Sequence, residues 1–394
     1  MTLIPVAEAQ ARVIGLGRAL PVESASLIEA ALRYAAEDIL ALRTQPAVDL
    51  SAMDGYAIRF AELPGPWRVV GESAAGAGLG RALNAGEAAR IFTGAPLPEG
   101  ADTVMVQEEA AREGDVLRLA GEGPGWIGRN VRPAASDFAT ATRLIAAGEL
   151  LTPARVGLAA IGGHGALPVR RRPRIALLST GDELVPPGAA VQGVQIPASN
   201  GVMLSALLAA TPALAEEHPI VPDDLDAMVA AFDRARDADI IVTIGGASVG
   251  DYDLVRPALL QAGATLDFWR VALKPGKPLM AGRLGDAVVL GLPGNPVSAL
   301  VTAQLFLLPL VAAMLGASDP VSAPRAARLL TPLPSTGERA EYLRAVIEPE
   351  GVRPLTAQDS AALLALALAD ALIVRPPASP AVAAGEIVEI LGIA

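Results

Sequence analysis

Cysteine is absent from the 394 residues, which excludes a disulfide framework, a thiolate metal site and a thiol nucleophile. Histidine is almost as scarce. Only His164 and His218 occur, too few for a multi-histidine metal centre and poor material for a Ser-His-Asp triad. Positive charge is also in deficit: 31 Lys and Arg stand against 42 Asp and Glu, a net charge of -11. The acids are spread along the chain rather than gathered in a tail, and no basic cluster marks a nucleic-acid footprint. An anionic substrate must therefore be held by local positive charge. The first residues, Met1 to Gln10, carry Glu8 and no basic start before an apolar core, so no secretory signal is read and the cytoplasm is the expected compartment. From Val288 to Ser318 no side chain is charged, but Pro293, Gly294, Asn295, Pro296, Gln304 and Pro309 interrupt the run and no Lys or Arg cluster flanks it. A helix buried in an α/β layer is expected there, with no membrane partner.

The length suits several domains. Residues 24–43 place Leu27, Ile28, Ala31, Leu32, Ala35, Ile39 and Leu42 at helical spacing, with Ser24 or Ser26 as a cap, and so predict a helix. After Pro46 come short apolar runs punctuated by Gly and Pro (67–70, 88–92, 103–108, 116–119), a β-rich module extending to about residue 140. Residues 141–170 read as a return to the first module. From Arg174 strands and helices alternate, which implies an α/β unit with a parallel sheet covered on both faces. Ligands in such sheets sit beyond the carboxyl ends of the strands, and the loops 179–183, 245–251 and 292–296 all fall at such ends. After Pro324, short strand-like runs with Gly and Pro turns predict a small β-barrel or sandwich.

Charged side chains in these loops suggest chemistry. In Ser51-Ala52-Met53-Asp54-Gly55-Tyr56-Ala57 a lone acid sits in a turn; an Asp-Gly turn alone would explain it. Gly245-Gly246-Ala247-Ser248-Val249-Gly250 follows a strand and can cradle an anion with backbone N–H groups, or simply connect strand to helix; it lacks the dinucleotide and P-loop spacings. Lys274-Pro275-Gly276-Lys277-Pro278 holds two ammonium groups on a stiff loop, for which a phosphate or other oxyanion is the natural counter-ion; a solvated turn is the alternative. Asp182 and Glu183, with Asp54, Asp137, Asp251 and Asp253, supply hard oxygen ligands that suit Mg2+, or act as acid or base, or in the case of Asp182-Glu183 cap a helix.

Six stretches, 51–57, 91–95, 179–184, 245–250, 274–278 and Gly291-Leu-Pro-Gly-Asn-Pro-Val-Ser-Ala299, together resemble in order and spacing the MoeA family of molybdopterin molybdenumtransferases, to which the gephyrin E domain belongs. The resemblance implies an elongated homodimer of α/β multidomain subunits. Each would have a helical and linker region at 1–45 and 141–172, a β-rich insertion domain at 46–140, a MogA-like three-layer α/β/α parallel-sheet domain at 173–322 and a C-terminal β-barrel at 323–394. It implies insertion of molybdate into adenylylated molybdopterin with Mg2+-assisted release of AMP. A MogA-type adenylylating protein and molybdoenzyme delivery factors are the implied partners besides the second copy.

By position the resemblance implies Glu183, Asp54 and Asp182 as catalytic. Substrate would be held by Thr93, Asp137, Gly245, Gly246, Ser248, Gly250, Asp253, Lys274, Lys277, Pro293, Asn295, Pro296 and Ser360, and Mg2+ by Glu183, Asp251 and Asp253. The motifs before residue 140 are expected to face the parallel-sheet domain of the other subunit. Leu50, Ala135 and Ala198 depart from the family pattern, as do Asp359 and Asp370 near Ser360. Two other readings remain: a scaffold with the same fold but no chemistry, and a Mg2+-dependent nucleotide or pyrophosphate hydrolase.

Overall fold

The computed structural model describes residues 3–246 and 254–393. Its centre is a sheet of six strands in the order Leu214–Glu217, Arg174–Ser179, Ile240–Ile244, Ala287–Leu292, Pro278–Leu284 and Thr265–Arg270. Apolar runs form it because both faces are covered. Ile175 and Leu177 join one core, with the helix Ser199–Ala209 and the long helix Pro296–Met314. Ala176 and Leu178 join the other, under Leu225–Arg234 and Val255–Gln261. The expected three-layer α/β/α arrangement is present, with one correction. Four strands are parallel, but Pro278–Leu284 and Thr265–Arg270 pair antiparallel at one edge. Gly285, at φ +61°, lets the chain reverse tightly before Ala287, and an antiparallel pair needs only such a turn where a parallel pair needs a crossover.

The uncharged run forms the buried helix expected of it. Pro296–Met314 is the one helix among the described residues long and apolar enough to cross a membrane, and 78% of its apolar window is buried inside the protein. Its middle, Ala303–Leu307, opens into a π turn just before Pro309, whose ring would crowd the carbonyl four residues back in a regular helix.

Residues 24–43 do not form the helix their spacing predicts. Only Leu27–Ala30 is helical, while Val22–Ser26 pairs antiparallel with Ala166–Arg170 and Ile39–Leu40 with Arg143–Ile145. Leu32 sits at φ +62°, which no helix accommodates, and Ile28, Leu32 and Leu42 from the presumed apolar stripe are 82%, 52% and 61% exposed. Strand pairing with the returning chain outweighs a weak helix propensity. Ser26 does cap the short helix: its hydroxyl accepts from Glu29 N and the Glu29 carboxylate accepts from Ser26 N.

The β-rich part is a six-stranded sheet ordered Thr103–Val106, Gly55–Ile58, Glu87–Ile91, Trp67–Ser73, Val116–Leu119 and Ala110–Glu113. The last strands, Arg325–Arg328, Ala340–Glu348, Gly351–Pro354, Ala371–Arg375 and Ile387–Gly392, pair in a ring that Leu329 closes against Val352. This is the expected barrel. Leu273–Lys274, from the edge of the α/β unit, adds in parallel to Ala340–Glu348 and couples the two.

Candidate functional site

Three strands, Arg174–Ser179, Ile240–Ile244 and Ala287–Leu292, end at the mouth of one cavity of about 540 Å³. Its wall includes Ser179, Thr180, Glu183, Asn200, Gly245 and Gly246. Ser179 and Thr180 are 2% and 5% exposed, and neither hydroxyl has a hydrogen-bond partner among the described residues. Asn200 Nδ2 donates to Gly294 O at 2.6 Å, but its Oδ1 is also without a partner among the described residues. Each unsatisfied buried polar atom costs about 1–3 kcal/mol, so three around one cavity mark a place built for a polar ligand. Gly245 belongs there for steric reasons as well: it lies at φ +99°, and a Cβ on it would come within 2.8 Å of Thr180 O.

Two helices, Ser199–Ala209 and Pro296–Met314, begin at this cavity. The start of Ser199–Ala209 has no side-chain cap, which favours a negatively charged guest there, whereas Pro296 has no N–H and Val297 N donates to Ser360 O. Carboxylates also line the cavity. Glu183 folds over Gly181, and Asp182 and Asp223 exchange contacts, Asp223 N donating to Asp182 Oδ1 at 3.0 Å and Asp182 N to Asp223 Oδ2 at 3.4 Å. Asp182 therefore orders the loop, while Glu183 and Asp223 line the cavity. Among the described residues no three metal-ligating side chains cluster. Ser248, Gly250, Asp251 and Asp253 lie outside the described residues, so the expected ligand set is represented by Glu183 alone. Glu183 and Asp223 do fit a Mg2+ ion of the kind that takes one or two carboxylates and completes its shell from substrate phosphate and water.

The C-terminal barrel reaches the same cavity. Asn295 Nδ2 donates to Ser360 Oγ at 2.8 Å, Val297 N donates to Ser360 O at 3.1 Å, and Ala361 and Leu363 line the wall. Pro296 opens the long helix at its first turn, and Pro293 is buried in the turn before it. Behind the Ser360 loop lies Arg344, 1% exposed, whose Nη1 donates to Asp359 O at 2.8 Å and Ala362 O at 3.3 Å while its Nε has no partner among the described residues. Burial draws its pKa down, and the charge of Asp359 partly offsets that.

Sequence reasoning missed Arg344, Asp223 and Asn200. Asp223 carried a signal, lying just ahead of the helix cap Asp224, whereas a strand arginine such as Arg344 carried none.

Other expected residues lie elsewhere. Asp54, Thr93 and Asp137 belong to the β-rich part and do not line this cavity. Thr93 donates to Asp54 Oδ1 from its N at 2.7 Å and its Oγ1 at 2.8 Å. These two donations, aided by the nearby Arg90 charge, hold the Asp54 carboxyl below its ordinary pKa. Asp137 is exposed, its N donating to Gln45 O at 3.1 Å. The lysine loop needs a correction. Lys274 already has a counter-ion within the protein, Glu341 at 2.9 Å, so no external anion is required to explain it; Lys277 is exposed.

Fold and cavity together define a multidomain α/β protein with a polar cavity at the ends of its sheet strands. Residues 4–163 match the MoeA N-terminal region (domain I and II), 176–313 the probable molybdopterin binding domain, and 326–393 the MoeA C-terminal region (domain IV). The chain belongs to the MoeA family. It is 36% identical over 324 residues to molybdopterin molybdenumtransferase 2 of Mycobacterium tuberculosis, covering 79% of this chain and 80% of that one. Against the molybdopterin molybdenumtransferase of Bacillus subtilis it is 30% identical over 404 residues, covering 99% and 94%. The crystal structure of the molybdopterin biosynthesis moeA protein from Pyrococcus horikoshii OT3 superposes with a TM-score of 0.85 at 26% identity, covering 99% of both chains.

Proposed function

We propose that the protein is a molybdopterin molybdenumtransferase, inserting molybdate into the dithiolene of adenylylated molybdopterin and releasing AMP. The observation that carries this reading is the strand-end cavity, where Ser179, Thr180 and Asn200 hold polar atoms unpartnered among the described residues, beside the start of helix Ser199–Ala209, which has no side-chain cap. That helix start and Gly245-Gly246 bind phosphate, the orphaned atoms orient the substrate, and Asn295 with Ser360 hold the barrel against it. Glu183 and Asp223 are the residues that would hold Mg2+, which would neutralise charge on the departing phosphate. Glu183, on the cavity wall, positions the metal oxyanion.

Asp54 acts on the same substrate from a second subunit. The exposed apolar side chains Ile28, Leu32, Leu42 and Ile161 support a homodimer, since they face water in the single chain. A MogA-type adenylylating protein would supply the substrate and delivery factors would take the product. The same reading places the reaction in the cytoplasm.

The test is an anaerobic assay of AMP release from adenylylated molybdopterin. Release that depends on molybdate supports the transferase. Release at the same rate without molybdate would make the protein a hydrolase, and substrate binding with no release would make it a scaffold.

A further inference from the structure

The turn that carries Asp54 is held from three sides. Thr93 takes the carboxylate, as described. Gln107 N donates to the Asp54 backbone carbonyl at 3.1 Å. Arg90 secures the next carbonyl, its Nη1 donating to Gly55 O at 3.1 Å, while its Nη2 donates to Gln107 Oε1 at 2.7 Å. One guanidinium thus ties together two of the three supports.

Arg90 is itself fixed. It lies opposite Tyr56 in the strand register, and its guanidinium carbon is 5.2 Å from the Tyr56 ring centre and 4.8 Å from that of Phe92. Two aromatic faces orient a planar cation and with it the direction of its N–H groups. Both hydrogen-bond acceptors of Arg90 are neutral oxygens, and it forms no ion pair among the described residues, which is unusual for a side chain that could reach a surface carboxylate. The backbone has no freedom beneath it either. A Cβ at Gly55 would stand 2.0 Å from Met105 O, so the turn is pressed against the neighbouring strand. Asp54 Oδ1 takes both Thr93 donations, and Oδ2 accepts no hydrogen bond among the described residues. The network fixes one carboxylate oxygen and leaves the other for a guest.

We propose that Arg90 is a positioning residue for the transfer reaction: through Gly55 O and Gln107 it sets the Asp54 turn so that Asp54 Oδ2 meets the substrate. This rests on the reading of Asp54 given above. In this role Arg90 acts through Asp54 rather than on the substrate, so its loss should slow turnover without weakening binding. Lysine at this position keeps the charge between the two rings but lacks the fork that reaches Gly55 O and Gln107 together.

The experiment compares Arg90→Lys, Arg90→Gln, Asp54→Ala and the double variant Asp54→Ala with Arg90→Gln. Two quantities are read: the dissociation constant for adenylylated molybdopterin without molybdate, and kcat for molybdate-dependent AMP release. Arg90→Gln should lower kcat by about 10- to 100-fold through misplacement of the carboxylate, with the dissociation constant within about twofold of wild type. Arg90→Lys should fall between, and its retained charge guards against a fold defect. The double variant should be no slower than Asp54→Ala alone, because a residue acting only through Asp54 has nothing left to act on. Multiplied losses in the double variant, or wild-type turnover in Arg90→Gln beside a slow Asp54→Ala, would overturn the inference while leaving the role of Asp54 intact. Wild-type turnover in Asp54→Ala would remove both.

Discussion

Glu183 Oε2 occupies the place where any residue but glycine at position 181 would put its Cβ: the separation would be 2.3 Å. Gly181 also lies at φ +144°, where L side chains are strained. Gly181→Ala should therefore cost about 1–3 kcal/mol of stability and push the Glu183 carboxylate out of the cavity. Glu183→Gln, which preserves size, should keep substrate affinity and lose most transfer. The two variants should share a turnover defect and differ in melting temperature. If Gly181→Ala turned over at the wild-type rate, the position of Glu183 would not matter.

Ser360 and Arg344 can be separated. Ser360→Ala removes one exposed acceptor from Asn295 and should weaken substrate binding by about twofold or threefold. Arg344→Gln releases the carbonyls of Asp359 and Ala362 together and should loosen the loop that walls the cavity, weakening binding by about tenfold or more. Calorimetric titration with the adenylylated pterin measures both; equal affinities would mean that the loop only closes the barrel.

Within the lysine loop the roles should divide. Lys274→Ala leaves Glu341 without its cation and should cost at most about 1 kcal/mol, the worth of an exposed pair. Lys277→Ala should instead reduce affinity for the phosphate-bearing substrate, and more so at low salt. An unchanged affinity in the double alanine variant would remove both lysines from substrate binding.

Glu87 predicts the acid sensitivity of the β-rich sheet. Its carboxylate accepts from Asn84 N at 3.0 Å and pairs with Arg81 at 2.9 Å and Arg68 at 2.7 Å, and these contacts lower its pKa from 4.5 to about 2. Because the folded value is the lower one, the stabilisation is complete above pH 4.5 and is lost as the pH falls through about 2. Glu87→Gln should be less stable at neutral pH and show a flatter decline over that interval in thermal melts. Parallel slopes for variant and wild type would mean that other carboxylates govern acid unfolding.

Much of the α/β unit was legible because its strands are buried on both faces. Ile240–Ile244 is buried at every position and apolar at all but Thr243, and glycines and prolines follow where the chain turns into the cavity. That local necessity is written in the residues, as is the Ser26 cap three positions before Glu29. Ala135 shows the same logic from the other side: it stands at φ +60°, the conformation that favours glycine.

Residues 24–43 were misread because helical spacing also arises in short strands and bends, and only pairing with residues 143–145 and 166–170 decides between them. The antiparallel edge, the Lys274–Glu341 pair, the meeting of Asn295 with Ser360 and the burial of Arg344 behind that loop were equally invisible. Each joins residues far apart in the chain, and periodicity carries no record of such partners. The sequence by itself determined the buried strands, the turns that end them and the charged loops placed there. Only the tertiary structure decided which of those charges face the cavity and which are satisfied within the protein, because that depends on distances the chain sets only when its sheets close.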